Sequence, residues 1–351
     1  MMDTKIWQAN GHTQSLQEAA ELLRNGGLVA FPTETVYGLG ANAADNDAVQ
    51  GIFRAKGRPS DNPLIVHIAD MEQLDGLVEP YPPLARRLME KYWPGPLTLV
   101  LPVKAGALSP LVTAGLPTVG VRMPDHDLAL QLLRQAGCPV AAPSANLSGR
   151  PSPTTADHVA DDLTGRIDGI VDGGATGVGL ESTVVELANA ETVRILRPGG
   201  VTMESLTAAL PNIRIIREGL FEADDQAPRS PGMKYTHYAP KGELYLVRGQ
   251  PSAVTAYIND ELMQAEAVGV KTGVLAFRER THKYEAADLV EDCGSEQNVE
   301  EAAQRLYGAL RRFDDEGIER MWAEGCVPDG GIGEALLNRL AKAAGHRIVN
   351  T

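Results

Sequence analysis

The chain has 351 residues, 43% of them hydrophobic and 22% charged, with 5% aromatics and a formal net charge of −14. That length allows two domains of ordinary size. Scarce aromatics disfavour a base-stacking platform, and the acidic balance excludes polyanion binding by overall field, so any phosphate must sit in a local basic pocket.

The amino terminus, MMDTKIWQANG, has no apolar signal core. No uncharged apolar run approaches the ~18 residues of a membrane span, and a cytoplasmic location is expected. Helix and strand signals then alternate. SLQEAAELLRNGG carries apolar residues at helical spacing and a glycine stop; LVAF is a short buried strand. AVQGIFRAKGR reads as a helix entering a basic loop, PLIVHIA as a strand, and PPLARRLMEKYW as a helix with proline in its first turn. LTLVLPV and TVGVRMP are strands, HDLALQLLRQAG a helix, and PVAAPSAN a strand ending in polar residues. GIVDGG, STVVEL and VRILRPG add strands before the helix TMESLTAAL. Residues 1–210 thus predict an α/β domain with a large mixed sheet.

Residues 211–241 carry several prolines and charges and no sustained period, which predicts a linker; SPGMKYTHYAP is too rich in Lys, Tyr and His for a mere spacer. Alternation resumes over 242–351. ELYLV, KTGVLAF and IERMWAE are strands, ADLVEDCG an edge strand, and NVEEAAQRLYGALRRFDDEG an amphipathic helix. The pattern predicts a smaller three-layer, Rossmann-like domain without a GxGxxG turn.

Four polar clusters fall at predicted strand ends, where open α/β sheets bind ligands. FPTETVYGLG holds Thr33, Glu34, Thr35 and Tyr37, more hydroxyls than a turn requires. KGRPSDNPLIVH holds Lys56, Arg58, Asn62 and His67; the two cations are either a solvated turn or a phosphate or carboxylate site. TVGVRMP places Thr118 and Arg122 in an apolar strand, so Arg122 pairs either with a carboxylate such as Glu34 or with one on a ligand. AAPSANLSGRPSPT supplies Ser144, Asn146, Ser148 and Ser152, and ESTVVE and RILRPG add Ser182, Thr183 and Arg197. Cys138, Cys293 and Cys326 are scattered, the histidines lack metal-ligand spacing, and no Walker loop, HExxH or GxSxG occurs. Such a chain positions reactants with hydroxyls, arginines and backbone groups.

Taken in order, FPTETVYGLG, KGRPSDNPL, PGPLTLVL, VGVRMPDH, PSANLSGRPSPT, ESTVVE, RPGG and SPGMKYTHYAP resemble the threonylcarbamoyl-AMP synthases in their long form. The resemblance implies a YrdC-type catalytic domain, a linker and a Rossmann-like domain. It implies a nucleotidyltransferase that makes threonylcarbamoyl-AMP and pyrophosphate from L-threonine, bicarbonate or CO2, and ATP with Mg2+, for threonylcarbamoyladenosine in tRNA. A separate transferase would receive the product, with weak or no direct tRNA binding and no membrane partner. By similarity Thr35, His67, Arg122, Ser182 and the backbone at Ala142 would bind threonine. Lys56 and Arg58 would be catalytic, and Arg58, Asn62, Thr118, Ser144, Ser152, Arg197 and Tyr238 would hold ATP, with the 211–241 linker as a lid whose KYTHYAP stretch brings Tyr235 or Tyr238 near the nucleotide. No dedicated metal ligand set is implied. The rival reading is a double-stranded RNA or tRNA-binding module without catalysis.

Overall fold

Short apolar runs through the first 217 residues become the strands of one mixed sheet in the computed structural model. They are β1 (Lys5–Gln8), β2 (Val29–Phe31), β3 (Gly38–Asn42), β4 (Ile65–His67), β5 (Leu97–Pro102), β6 (Thr118–Arg122), β7 (Val140–Ala141), β8 (Gly169–Asp172), β9 (Thr183–Asn189), β10 (Thr192–Arg197) and β11 (Arg214–Arg217). Their order is β1-β8-β2-β3-β7-β4-β6-β5-β9-β10-β11. Eight helices join them: α1 (Thr13–Arg24), α2 (Asn46–Lys56), α3 (Met71–Leu77), α4 (Pro83–Tyr92), α5 (Pro110–Thr113), α6 (Asp127–Ala136), α7 (Ala156–Leu163) and α8 (Met203–Ala209). The structure describes residues 3–8, 13–217, 238–325 and 330–351. Two units emerge, and Gly149–Pro151 count with the second.

Register assigns each residue of the middle strands to a face. β4 runs parallel to β6, pairing Ile65 with Gly120 and His67 with Arg122. β5 runs antiparallel to β6, pairing Leu99 with Val121, and parallel to β9, pairing Thr98 with Val184. Side chains alternate along a strand. Val66, Leu97, Leu99, Leu101, Val119 and Val121 point into the main core. Ile65, Val184 and Leu196, with Val100, form a small separate cluster. His67, Thr98, Thr118 and Arg122 follow the alternation of that second cluster and share its face.

Several elements depart from expectation. β1 is polar in sequence because Trp7 alone of its four residues is buried. β3 begins GLG, which reads as a turn. Its glycine serves close approach: a Cβ on Gly40 would lie 2.9 Å from both Phe31 and Val140. β11 lies within the stretch expected to be linker. Ile215 and Ile216 are half-buried and the strand runs parallel to β10, while its terminal arginines are exposed and mask the signal.

The second unit contains β12 (Glu243–Arg248), α9 (Pro251–Ala267), β13 (Thr272–Ala276), β14 (Leu289–Asp292), α10 (Val299–Asp315), β15 (Arg320–Glu324), α11 (Gly331–Ala343) and β16 (Ile348–Asn350). Its sheet order is β14-β13-β15-β12-β16, with all neighbours parallel. Val274 packs with Val254, Ile258 and Leu262 of α9. The adjacent Gly273 faces α10, where a Cβ would lie 2.8 Å from the Phe313 ring. Helices therefore cover both faces, as a three-layer α/β domain requires. The order is not the 3-2-1-4-5 of doubly wound dinucleotide folds: β15, fourth along the chain, lies between the second and first strands. Among the described residues no helix is long and apolar enough to cross a membrane.

Candidate functional site

Pro32–Tyr37 connects antiparallel β2 and β3. Thr33 holds this connection: its hydroxyl donates to the Val36 carbonyl at 2.7 Å and accepts from the Thr35 and Val36 amides at 3.2 and 3.3 Å. Tyr37 anchors it, its hydroxyl donating to the Gly174 carbonyl at 2.7 Å and accepting from the Gly173 amide at 3.2 Å. Burial raises the Tyr37 phenol above its ordinary range. The fold therefore uses Thr33 and Tyr37, while Glu34 and Thr35 turn toward Arg122.

Arg122 ends β6 with its side chain 4% exposed. Nε donates to the Gly95 carbonyl at 3.2 Å and Nη1 to Thr35 Oγ1 at 2.9 Å. Nη2 lies 2.5 Å from Glu34 Oε2, an ion pair without hydrogen-bond alignment. Of the two partners expected for Arg122, the protein's own carboxylate is thus present, and a ligand carboxylate would have to share or take the Nη2 side.

His67, opposite Arg122 in register, stands edge-on to Phe31 with ring centroids 6.0 Å apart. Burial, reinforced by the Arg122 charge, pushes it down to about 3, so it is neutral at physiological pH. Its Nδ1 is buried without a hydrogen bond. Ser182 Oγ lies 2.8 Å from Thr98 Oγ1. Arg197 grips Ser182, donating from Nε and Nη2 to its carbonyl at 3.1 and 2.9 Å and from Nη2 to Oγ at 3.1 Å. Ser152 donates to Glu181 Oε1 at 2.6 Å, tying its loop to the residue before Ser182. Thr35, His67, Arg122 and Ser182 therefore converge. Ala142 is buried beside Gly38 and donates its amide to the Ile65 carbonyl at 2.9 Å.

The second group surrounds the end of α2. Gly57 adopts φ 61°, a left-handed cap that stops the helix and turns the chain between Lys56 and Arg58. The Lys56 ammonium is buried and donates to the Ser144 carbonyl at 2.6 Å, the Asn146 carbonyl at 2.5 Å and Asn146 Oδ1 at 3.3 Å. Its donors shape the 144–146 loop. Ser144 Oγ in turn donates to Asn146 Oδ1 at 2.6 Å. Arg58, half-buried, leans on the Asn62 and Pro63 carbonyls at 3.3 and 3.4 Å. Asn62 is fully buried, and neither end of its amide makes a hydrogen bond among the described residues. Thr118, half-exposed, precedes Gly120 by two residues on the shared face.

Tyr238 belongs to the second unit, where it is buried, stacked on Tyr307 at 5.3 Å and under the Arg339 guanidinium. Tyr235 and most of the expected lid lie outside the described residues. A cavity of about 400 Å³, lined by methionines and aromatics such as Trp93 and Met123 together with Glu72, Asp75, Arg86 and Glu90, shares no residue with the converging set. The buried polar face is the better site candidate, because Thr35, His67, Arg122 and Ser182 are buried together on it. Sequence reading missed Thr98, Gly95, Glu181 and His126. Thr98 was legible as the one hydroxyl within LTLVLPV; the others required the fold.

Comparison with known proteins places the chain in a family. Residues 21–199 match the Sua5, YciO and YrdC family model described as telomere recombination. Residues 201–345 match the model described as threonylcarbamoyl-AMP synthase, C-terminal domain. A threonylcarbamoyl-AMP synthase of Bacillus subtilis strain 168 is 52% identical over 354 residues, covering 99% of this chain and 100% of its own. One from Pyrococcus abyssi is 48% identical, covering 94% of each. The crystal structure of P. abyssi Sua5 complexed with L-threonine superposes with a TM-score of 0.90 at 45% identity, covering 99% of each chain. Escherichia coli YciO matches with a TM-score of 0.50 at 25% identity, covering 57% of this chain and 96% of its own. The chain belongs to the threonylcarbamoyl-AMP synthase family.

Proposed function

We propose that this enzyme condenses L-threonine, bicarbonate or CO2, and ATP into threonylcarbamoyl-AMP with release of pyrophosphate. The step is a nucleotidyl transfer whose product passes to a separate transferase for tRNA modification. One observation carries the reading: a single sheet face bears Arg122 at one end and Thr118 at the other. Four residues at about 3.3 Å each give roughly 13 Å, room for an amino acid beside a phosphate chain.

The threonine carboxylate would sit at Arg122, whose planar fork and Thr35 contact fix its orientation. A neutral His67 adds hydrogen bonding without a second positive charge. Thr98 and Arg197 hold Ser182 in place beside them. The amine, so oriented, attacks the carbon of bicarbonate or CO2. The carbamate oxygen then attacks the α-phosphate in line and pyrophosphate leaves. Asn62, Thr118 and Arg58 would receive the nucleotide, and Lys56 would keep the Ser144 loop in shape. Among the described residues no cluster of three or more His, Cys, Asp or Glu could hold a metal ion. Mg2+, bound through the ATP phosphates, would screen their charge.

The test is pyrophosphate release without RNA. It should require both L-threonine and bicarbonate. Arg122→Lys, which cannot reproduce the fork, should raise the threonine KM at least about tenfold, about 1.4 kcal/mol, with the ATP KM nearly unchanged. Release that ignores threonine would overturn the reading.

A further inference from the structure

Around Arg122, Oε1 of Glu34 and Nδ1 of His67 and of His126 are buried without a hydrogen bond among the described residues, while Nη2 of Arg122 and Oε2 of Glu34 meet only each other, 2.5 Å apart. Buried polar atoms nearly always find partners, so several such atoms at one point mark a place where a ligand completes the set. Glu34 is held there firmly. Its carbonyl accepts from the Val178 amide at 2.7 Å, and its side chain is 12% exposed.

The charges in this group specify the ligand. Arg122 and Glu34 supply one guanidinium and one carboxylate, 2.5 Å apart. An α-amino acid carries the opposite pair on one carbon. Arg122 suits its carboxylate. For its ammonium, Thr35 and Ser182 offer neutral hydroxyls already bonded to Thr33 and Arg122 and to Thr98 and Arg197, and the Glu181 carboxylate already holds Ser152. Glu34 has an ion pair and no hydrogen bond.

We infer that Glu34 receives the α-ammonium of the amino-acid substrate, exchanging its ion pair with Arg122 for one with the ligand; this rests on the threonine-dependent reading above. Substrate carboxylate goes to Arg122 as Glu34 turns to the ammonium, and neither buried charge is left alone. A carboxylate ligand without an amine gains Arg122 but strands Glu34. The ion pair thereby becomes a filter for zwitterions. His126, at the start of α6, is the titratable neighbour of Glu34 on that side, and Asp125 and Asp127 flank it. Comparisons are therefore made at one pH.

The experiment pairs two ligands with two proteins. L-Threonine and 3-hydroxybutanoate, which lacks only the amine, compete for the full-length protein and for Glu34→Gln in the absence of ATP, read by calorimetry. The wild-type preference for threonine should be about 30-fold or more and should fall below about threefold in Glu34→Gln. Glu34→Asp, which keeps the charge on a shorter stem, should retain part of the preference, and provides the readout if the glutamine variant does not fold. An unchanged preference in the variants overturns the role of Glu34 while leaving the proposed reaction standing. A wild-type protein that binds no L-threonine overturns both.

Discussion

Asn62 bears most directly on nucleotide binding. Both ends of its amide are buried without a hydrogen bond. Leucine has the same branched skeleton and no polar atoms, so Asn62→Leu should stabilise the fold by up to about 1–3 kcal/mol, less the cost of seating two larger methyl groups. The same change should cut ATP-dependent turnover at least about tenfold if the amide serves the nucleotide. Thermal melts and ATP kinetics on one preparation check both halves. His67 makes a second claim at this scale. Its folded value is about 3 against an ordinary 6.5. As pH falls through about 6.5 the unfolded chain takes up a proton and the folded chain does not. Stability from this group is therefore full above 6.5 and drains as pH drops toward 3, at up to about 1.4 kcal/mol per pH unit. His126, also lowered by burial, acts in the same direction. Urea midpoints should fall steadily between neutral pH and about pH 4, and His67→Gln should flatten the slope.

At the scale of elements, the join between α2 and the 144–146 loop matters most. Lys56 ends the helix and threads its ammonium into three oxygens of that loop. Lys56→Met keeps the length and removes every donor, leaving those oxygens short of partners. It should cost about 2–4 kcal/mol in stability and raise the ATP KM, as the loop loses its shape; denaturation and kinetics read the two effects. Most elements were legible because apolar runs and helical spacing are local signals. β11 and β1 were not, since short edge strands show water a polar side. β3 was hidden because a glycine needed for close packing looks like a glycine needed for a turn.

For the whole molecule, a net charge of −14 sets the expectation for nucleic acid. Binding to tRNA at physiological salt should be weaker than about 10 μM and insensitive to sequence, measured by filter binding. Tight, sequence-selective binding would revive the RNA-module reading.

Composition and motif order by themselves determined the two α/β units and the set of polar residues that gathers near Arg122, because hydrophobic periodicity and residue chemistry are carried within each segment. Tertiary structure alone decided which of those residues face each other. The sequence placed them at strand ends, whereas register places His67, Thr98, Thr118 and Arg122 along one sheet face. It also gave Lys56 and Arg197 backbone carbonyls of distant segments as partners. A side chain's partner depends on strand pairing between distant segments, and a shift of one residue would turn every one of them to the opposite face.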